Sequence, residues 1–227
     1  MIMLEITAVR KNYKIGNDIV KAVNNAGFKV EKGDSIMIFG HSGSGKTTLL
    51  SIIGGLTRPD SGTVKYGDTD LWSLSDNELS EFRNRRINFI FQFSSLIPTL
   101  TVLENILLPT AFNKSGDRNR NFDAKDLLTM VGLKDKFNAY PSQLSGGQQR
   151  RAAIARSFIN NPEIILADEP TGDLDEETEA EMLALCKSMN VDKGITFIIV
   201  THNTDIAKQC NKHFVMNRGI LTPKAMG

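Results

Sequence analysis

Apolar residues along the chain recur with the spacing of strands in some segments and of helices in others. Met3–Val9 and Val20–Val30 follow strand patterns, whereas Ser35–Phe39 and Ile164–Ala167 are short apolar runs bounded by polar or glycine residues. From Thr47 to Leu56 the spacing changes to that of an amphipathic helix. Strands that alternate with helices predict an α/β fold with a mostly parallel central sheet, preceded here by an antiparallel β portion.

The middle of the chain has helical periodicity over most of its length. Ser75–Arg86 begins with a capping-box pattern, and Thr101–Leu108, Phe122–Met130 and Gly146–Asn160 follow as further helical segments. We therefore expect a helical subdomain, inserted into the α/β core at about residues 94–160.

Length, composition and charge favour one globular domain covering residues 1–227. The chain has 41% hydrophobic and 23% charged residues, which excludes a disordered or disulfide-framework protein. Its net charge of +1 gives no general attraction to nucleic acid, so we predict no nucleic-acid partner. The most apolar stretch, Ile87–Pro109, is interrupted by polar residues, and two cysteines fit a reducing compartment. We expect a cytoplasmic protein.

A glycine-rich loop follows the predicted strand Ser35–Phe39 and precedes a predicted helix. It matches the phosphate-binding pattern G-x-x-x-x-G-K-[ST], in which backbone N–H groups surround the phosphates of a nucleotide. Lys46 is expected to reach the β- and γ-phosphates, and the Thr47 hydroxyl suits Mg²⁺. The residues expected to bind ATP in this loop are Gly40, His41, Ser42, Gly43, Ser44, Gly45, Lys46, Thr47 and Thr48.

Two acidic residues end the apolar strand Ile164–Ala167. In an open α/β sheet the carboxyl ends of strands face the ligand crevice. Asp168 is therefore expected to hold Mg²⁺ through water, and Glu169 to act as the general base that polarises the attacking water.

A second glycine-rich helix start lies at Leu144–Arg150, with the sequence LSGGQQR. Here the chain resembles the nucleotide-binding domain of ABC transporters, whose signature is LSGGQ. The residues Ser145, Gly146, Gly147 and Gln148 would form a second phosphate-binding helix N-terminus. The resemblance covers essentially the whole chain, and it implies a P-loop NTPase core of the RecA-like type.

The resemblance also assigns roles to residues outside these three motifs. Tyr13 would stack on adenine, Gln92 would contact Mg²⁺ and the attacking water, and His202 would contact the γ-phosphate. Thr171–Asp175 resembles the loop that crosses to the partner subunit, although Asp173 adds a charge there. The implied catalytic set is Glu169, His202 and Gln92, and the implied metal set is Thr47, Gln92 and Asp168.

The resemblance further implies an assembly on a membrane. Two copies would pack head to tail around two ATP molecules and drive integral membrane permease subunits from the cytoplasmic face of the inner membrane. Within the family, the chain looks most like the lipoprotein-releasing and macrolide-export ATPases, with the cell-division ATPase as an alternative. We expect the permease to dock on apolar residues after Gln92, namely Phe93, Leu96, Ile97 and Leu100.

Two other functions compete with this interpretation. A soluble ABC ATPase acting on DNA would carry a very long coiled-coil insertion, but Ser145 lies only 99 positions after Lys46. The ribosomal type carries two ATPase domains in one chain. A P-loop kinase would have no use for the segment Ser145–Gly147.

Overall fold

A computed structural model of the chain describes residues 2–92, 94–113, 122–172 and 176–224, without the side chains of residues 177, 204 and 205. The strands are Ile2–Ile15 (β1), Asp18–Glu31 (β2), Ser35–Phe39 (β3), Ser61–Tyr66 (β4), Thr69–Asp70 (β5), Ile87–Ile90 (β6), Ile164–Asp168 (β7), Thr196–Thr201 (β8), Lys212–Asn217 (β9) and Ile220–Pro223 (β10). The α-helices are Lys46–Ile53 (α1), Asp76–Arg86 (α2), Val102–Leu107 (α3), Ala124–Met130 (α4), Gly146–Phe158 (α5) and Glu176–Lys193 (α6).

The strands form two sheets. The larger has the order β10-β9-β3-β8-β7-β6, and all its pairs are parallel except β9 with β10. The smaller is antiparallel, with the order β2-β1-β4-β5. The predicted fold class, an α/β core with an N-terminal antiparallel portion and helical segments, is confirmed.

The central sheet is covered on both faces, as its continuous apolar strands require. Because side chains alternate along a strand, Ile36 and Ile38 of β3 pack on one face, in a cluster that contains Leu49 of α1. Met37, between them, faces the opposite cluster, which contains Phe158 of α5. Both α1 and α5 are thus fixed to the sheet by buried apolar contacts.

Between β6 and β7 the described residues form helices and turns, as expected for the region 94–160. A fully buried amide organises its beginning: Asn105 accepts a hydrogen bond from the Ile97 N–H at 2.7 Å and donates to the Ile97, Leu100 and Thr101 carbonyls. The chain after Gln92 therefore turns around one polar side chain.

No helix in the described part of the chain is both long enough and apolar enough to span a bilayer.

Candidate active site

The phosphate loop joins β3 to α1 in a shape that only glycine can adopt at two positions. Gly45 has φ +105°, and a Cβ there would lie 1.9 Å from the Ala22 carbonyl oxygen. At Gly40 a Cβ would lie 2.3 Å from the Met216 carbonyl oxygen. Larger residues would push the loop away from β2 and β9, so these contacts fix the loop against its own chain.

Lys46 is the first residue of α1, and its side chain is held inside the loop. It is 6% exposed, and its Nζ donates to the Gly40 carbonyl at 2.7 Å and the His41 carbonyl at 3.1 Å. The same Nζ lies 3.8 Å from a carboxylate oxygen of Glu169. A buried ammonium at a helix N-terminus makes this loop a strongly anion-attracting position.

Thr47 and Asp168 present oxygen atoms to each other across the cleft. The Thr47 hydroxyl donates to Asp168 Oδ1 at 3.2 Å. Burial raises the pKa of Asp168 and the Glu169 charge adds to that rise, while the Thr47 hydrogen bond and Lys46 oppose it. Gln92 lines the same cleft, so hydroxyl, carboxylate and amide oxygens meet there, a donor set that fits a hard divalent cation.

Glu169 is held in place from the neighbouring strand end. Its Oε2 accepts hydrogen bonds from the Thr201 hydroxyl at 2.9 Å and the His202 N–H at 3.2 Å. His202 Nδ1 lies 3.0 Å from the same oxygen. Glu169 also has φ +45°, an unusual backbone conformation for a residue other than glycine. This arrangement fixes the carboxylate beside Lys46.

These groups line one cleft of about 630 Å³. Its wall includes Tyr13, 40% exposed, whose ring lies 5.7 Å from the Lys11 ammonium. Gly40 is buried and does not line the cleft. The predicted residues that the structure brings together on this wall are Tyr13, His41, Ser42, Gly43, Ser44, Gly45, Lys46, Thr47, Thr48, Gln92, Asp168, Glu169 and His202.

Four residues of this site were not predicted from the sequence. Val20, Lys21 and Ala22 line the cleft because β2 passes beside the phosphate loop, a tertiary contact that no local pattern predicts. Thr201 was foreseeable, since it precedes His202 at the carboxyl end of a buried strand.

The predicted signature residues do not line this cleft; Ser145, Gly146, Gly147 and Gln148 are all described, and all lie elsewhere. Ser145 is the N-cap of α5 and forms a capping box with Gln148. Ser145 and Gly146 are exposed, and a Cβ built on Gly146 meets no atom within 4 Å. This helix start is therefore open to a phosphate that approaches from solvent and not from the cleft of the same chain.

Two predicted features fall partly outside the described residues. They are Asp173, in the segment thought to cross to the partner subunit, and Phe93, in the expected docking surface. In the rest of that surface, Leu96 packs against the core while Ile97 is exposed.

Comparison with known proteins gives the family. The ABC transporter family model matches residues 23–172. A lipoprotein-releasing system ATP-binding protein, LolD of Cytophaga hutchinsonii, is 44% identical over 90% of this chain and 92% of that protein. A macrolide export ATP-binding/permease protein, MacB of Syntrophobacter fumaroxidans, is 41% identical over 99% of this chain but only 32% of its own length. The chain thus spans about a third of the length of that relative.

A solved structure of an ATP-binding cassette also matches this chain. The dimeric ATP-binding cassette MJ0796, in a post-hydrolysis state bound to ADP and Pi, superposes with a TM-score of 0.88 and 38% identity. The match covers 99% of this chain and all of that one. The chain therefore belongs to the ABC transporter family, as one of its ATP-hydrolysing cassettes.

Proposed function

We propose that two copies of this chain pack head to tail around two ATP molecules and drive separate permease subunits, as a peripheral protein at the cytoplasmic face of the inner membrane. One observation carries the proposal: the chain has two glycine-rich helix N-termini, one inside a cleft and the other exposed away from it. Similarity to LolD and MacB proteins supports the lipoprotein-releasing and export branch.

Within one cleft, each group has a chemical task. The loop N–H groups and Lys46 bind the phosphates, and Tyr13 stacks on adenine. Glu169 accepts a proton from the water that attacks the γ-phosphorus, the bond from that phosphorus to the β,γ-bridging oxygen breaks, and ADP and phosphate form. His202 orients Glu169 and contacts the γ-phosphate.

Mg²⁺ fits this site through the oxygen atoms of Thr47, Asp168 and Gln92. Thr47 and Asp168 already share a 3.2 Å contact. When bound, the ion would neutralise phosphate charge.

The permease would bind in a groove beside Gln92, which is not lined by Leu96, Ile97 or Leu100, the residues on which the sequence led us to expect docking. About 400 Å³ of space is lined by apolar and polar residues of α2, β6 and the turn after α3. Phe89 and Phe91 stack there with 5.2 Å between ring centroids, and Leu56 and Phe112 are exposed at the rim. The apolar residues of this groove suit the apolar face of a short amphipathic helix of a membrane subunit, and the position of the groove next to Gln92 would couple binding to the ATP site.

A mixing experiment tests the shared site. Lys46→Ala disables the phosphate loop and Ser145→Arg disables the N-terminus of α5, so each variant alone should be inactive. In a mixed head-to-tail dimer, one site keeps both an intact Lys46 and an intact Ser145. A one-to-one mixture should regain up to about a quarter of wild-type ATP hydrolysis, because half the dimers are mixed. A mixture as inactive as its components would contradict the shared site.

A second experiment tests the groove by co-purifying the chain with a candidate permease subunit. Phe112 and Val191 are 65% and 70% exposed, but only Phe112 lines the groove. Phe112→Asp should abolish co-purification with the permease and leave the ATPase of the separate chain near normal. Val191→Asp, the matched control, should retain both. Equal permease binding by the two variants would exclude the groove.

A further inference from the structure

Two arginines of α5 reach out of the helix to loops that carry predicted catalytic residues. Arg150 is 4% exposed. Its Nη1 donates to the Phe91 carbonyl, and its Nη2 donates to the Pro170 carbonyl at 2.8 Å and lies 3.5 Å from the Glu169 carbonyl. Its Nε is 3.3 Å from the Pro170 carbonyl. One guanidinium thus contacts the backbone next to Gln92 and the backbone of Glu169 itself.

Arg156 makes the corresponding contacts on the other side of Gln92. Its Nη1 donates to the Ser95 carbonyl at 3.0 Å and its Nη2 to the Ser94 carbonyl at 3.1 Å. Ser95 has φ +46°, so these bonds hold a backbone turn that a non-glycine residue rarely adopts. The two arginines therefore hold the chain before and after Gln92 against one helix.

We infer that Arg150 is a positioning residue that transmits movement of the exposed Ser145 end of α5 to Gln92 and Glu169. This inference rests on the proposed function, in which the partner's ATP binds at Ser145. Arg150 lies five residues after Ser145 in the same helix, about 7.5 Å along its axis. A displacement of that helix end would therefore move the carbonyls of residues 91, 169 and 170.

The chemistry of arginine suits this task. Its planar guanidinium offers five N–H donors in a fixed fork, so it can hold two separate loops in one geometry. Lysine at the same position would keep the charge but not the fork. The hydrogen bonds of Arg150 are not needed to hold α5 in the core, because Ile154 and Phe158 of the same helix are buried there.

Arg150→Lys and Arg150→Gln test the inference, with Arg151→Gln as the matched control on the same helix. Arg151 forms its 3.0 Å ion pair with Glu181, away from both loops. Because small misplacements of catalytic groups are costly, we expect kcat to fall by about 10- to 100-fold in both Arg150 variants. KM for ATP should stay within about threefold of wild type, since the phosphate loop is unchanged. Arg151→Gln should leave both constants near wild type.

A double-mutant cycle with Gln92→Ala separates positioning from a general structural role. If Arg150 acts through Gln92, Arg150→Gln should lower kcat much less in the Gln92→Ala background than in wild type. Equal fold-losses in both backgrounds, or variants of Arg150 without a cooperative thermal melt, would overturn the inference.

The cycle also distinguishes failure of the proposed function, in which Gln92 acts in hydrolysis, from failure of the inferred role of Arg150. Wild-type turnover in Gln92→Ala would remove the proposed role of Gln92 and this inference together. Lost turnover in Gln92→Ala, with normal kcat in both Arg150 variants, would overturn only the inference.

Discussion

The two helix starts of this chain at Lys46 and at Ser145 are both rich in glycine, but their surroundings are opposite. At α1 the N-cap is Gly45 in a left-handed conformation with no side-chain cap. At α5 the N-cap is Ser145, whose side chain accepts a hydrogen bond from the Gln148 N–H, while the Gln148 side-chain oxygen accepts one from the Ser145 N–H. The first end faces a cleft of its own chain, and the second faces solvent.

The two helix starts also differ in whether neighbouring atoms of the chain leave room for a side chain in place of glycine. Gly40 and Gly45 are required by the chain itself, since a Cβ would collide with the Met216 and Ala22 carbonyl oxygens. At Gly146 there is open space, and at Gly147 the nearest atom, from Thr178, is 3.5 Å away. Among the described residues, no atom lies close enough to require glycine at the second helix start, whereas the proposed function gives a reason for it: close approach of the partner's ATP.

The largest effect is expected at Glu169, on the chemical side. Glu169→Gln keeps the shape of the side chain but removes the basic charge, so turnover should fall by about 10²- to 10⁴-fold while ATP still binds. The variant should accumulate as an ATP-bound dimer. In that dimer, the amides of Gly146 and Gly147 should exchange hydrogen more slowly than in the ATP-free chain. Turnover within threefold of wild type would remove Glu169 as the base.

Ser145→Arg probes the outward-facing side. The bulky cation would block approach of a second copy, so turnover should fall by about 10²-fold, as expected for lost transition-state groups. ATP binding by the single chain should change little, because Lys46 and Tyr13 are untouched. Lys46→Ala provides the contrast and should weaken that binding severely. If both variants lost ATP affinity equally, Ser145 would belong to the cleft of its own chain.

A pair of glycine substitutions measures the structural difference directly. Gly45→Ala forces alanine to φ +105° and into the Ala22 carbonyl, so unfolding free energy should drop by about 2–4 kcal/mol. Gly146→Ala adds a methyl group to open space on a helix and should stay within about 0.5 kcal/mol of wild type. Its turnover should nevertheless fall, because the methyl group stands where a phosphate would approach. Chemical denaturation and ATPase assays together provide the measurement.

The sequence predicted most of the first site because its residues lie in short motifs at strand ends. Asp168 ends a buried strand, Glu169 and His202 each follow one, and parallel strands bring their carboxyl ends to one edge. The approach of β2 to the phosphate loop was not predictable, since it depends on how the two sheets pack. The reach of Arg150 to Phe91 and Pro170 was missed for the same reason: the contacts span 59 and 20 residues of chain.

For the apolar residues after Gln92, the sequence did not predict which side chains are buried and which are exposed. Leu96 and Ile97 are both apolar, yet Leu96 packs against the core while Ile97 is exposed. The division follows from the turn that buried Asn105 imposes on Ile97 and Leu100. No hydrophobicity pattern in the sequence encodes that turn.

A smaller effect is expected from Ser145→Ala on the stability of the single chain. The substitution removes the hydroxyl that accepts from the Gln148 N–H, at a cost of about 1 kcal/mol. Ser145→Thr keeps the hydroxyl and should keep most of the stability, which makes it the matched control. A loss much larger than this in urea denaturation would mean that Ser145 supports more than its own helix.

The smallest effect concerns the cost of keeping the first site charged. Burial and the neighbouring Glu169 charge raise the pKa of Asp168 above 3.8, so its ionised form disfavours folding. That cost is present at neutral pH and disappears as the pH falls below the ordinary pKa of an aspartate.

Asp168→Asn keeps an acceptor for the Thr47 hydroxyl and should therefore stabilise the nucleotide-free chain at pH 7 by less than about 1 kcal/mol, while abolishing Mg²⁺-dependent turnover. The gain should shrink as the pH is lowered toward 3.8, because the wild-type carboxyl then becomes neutral too. Thermal melts of both proteins across that range measure it, and a variant less stable than wild type at pH 7 would show that Asp168 serves the fold rather than the ligand.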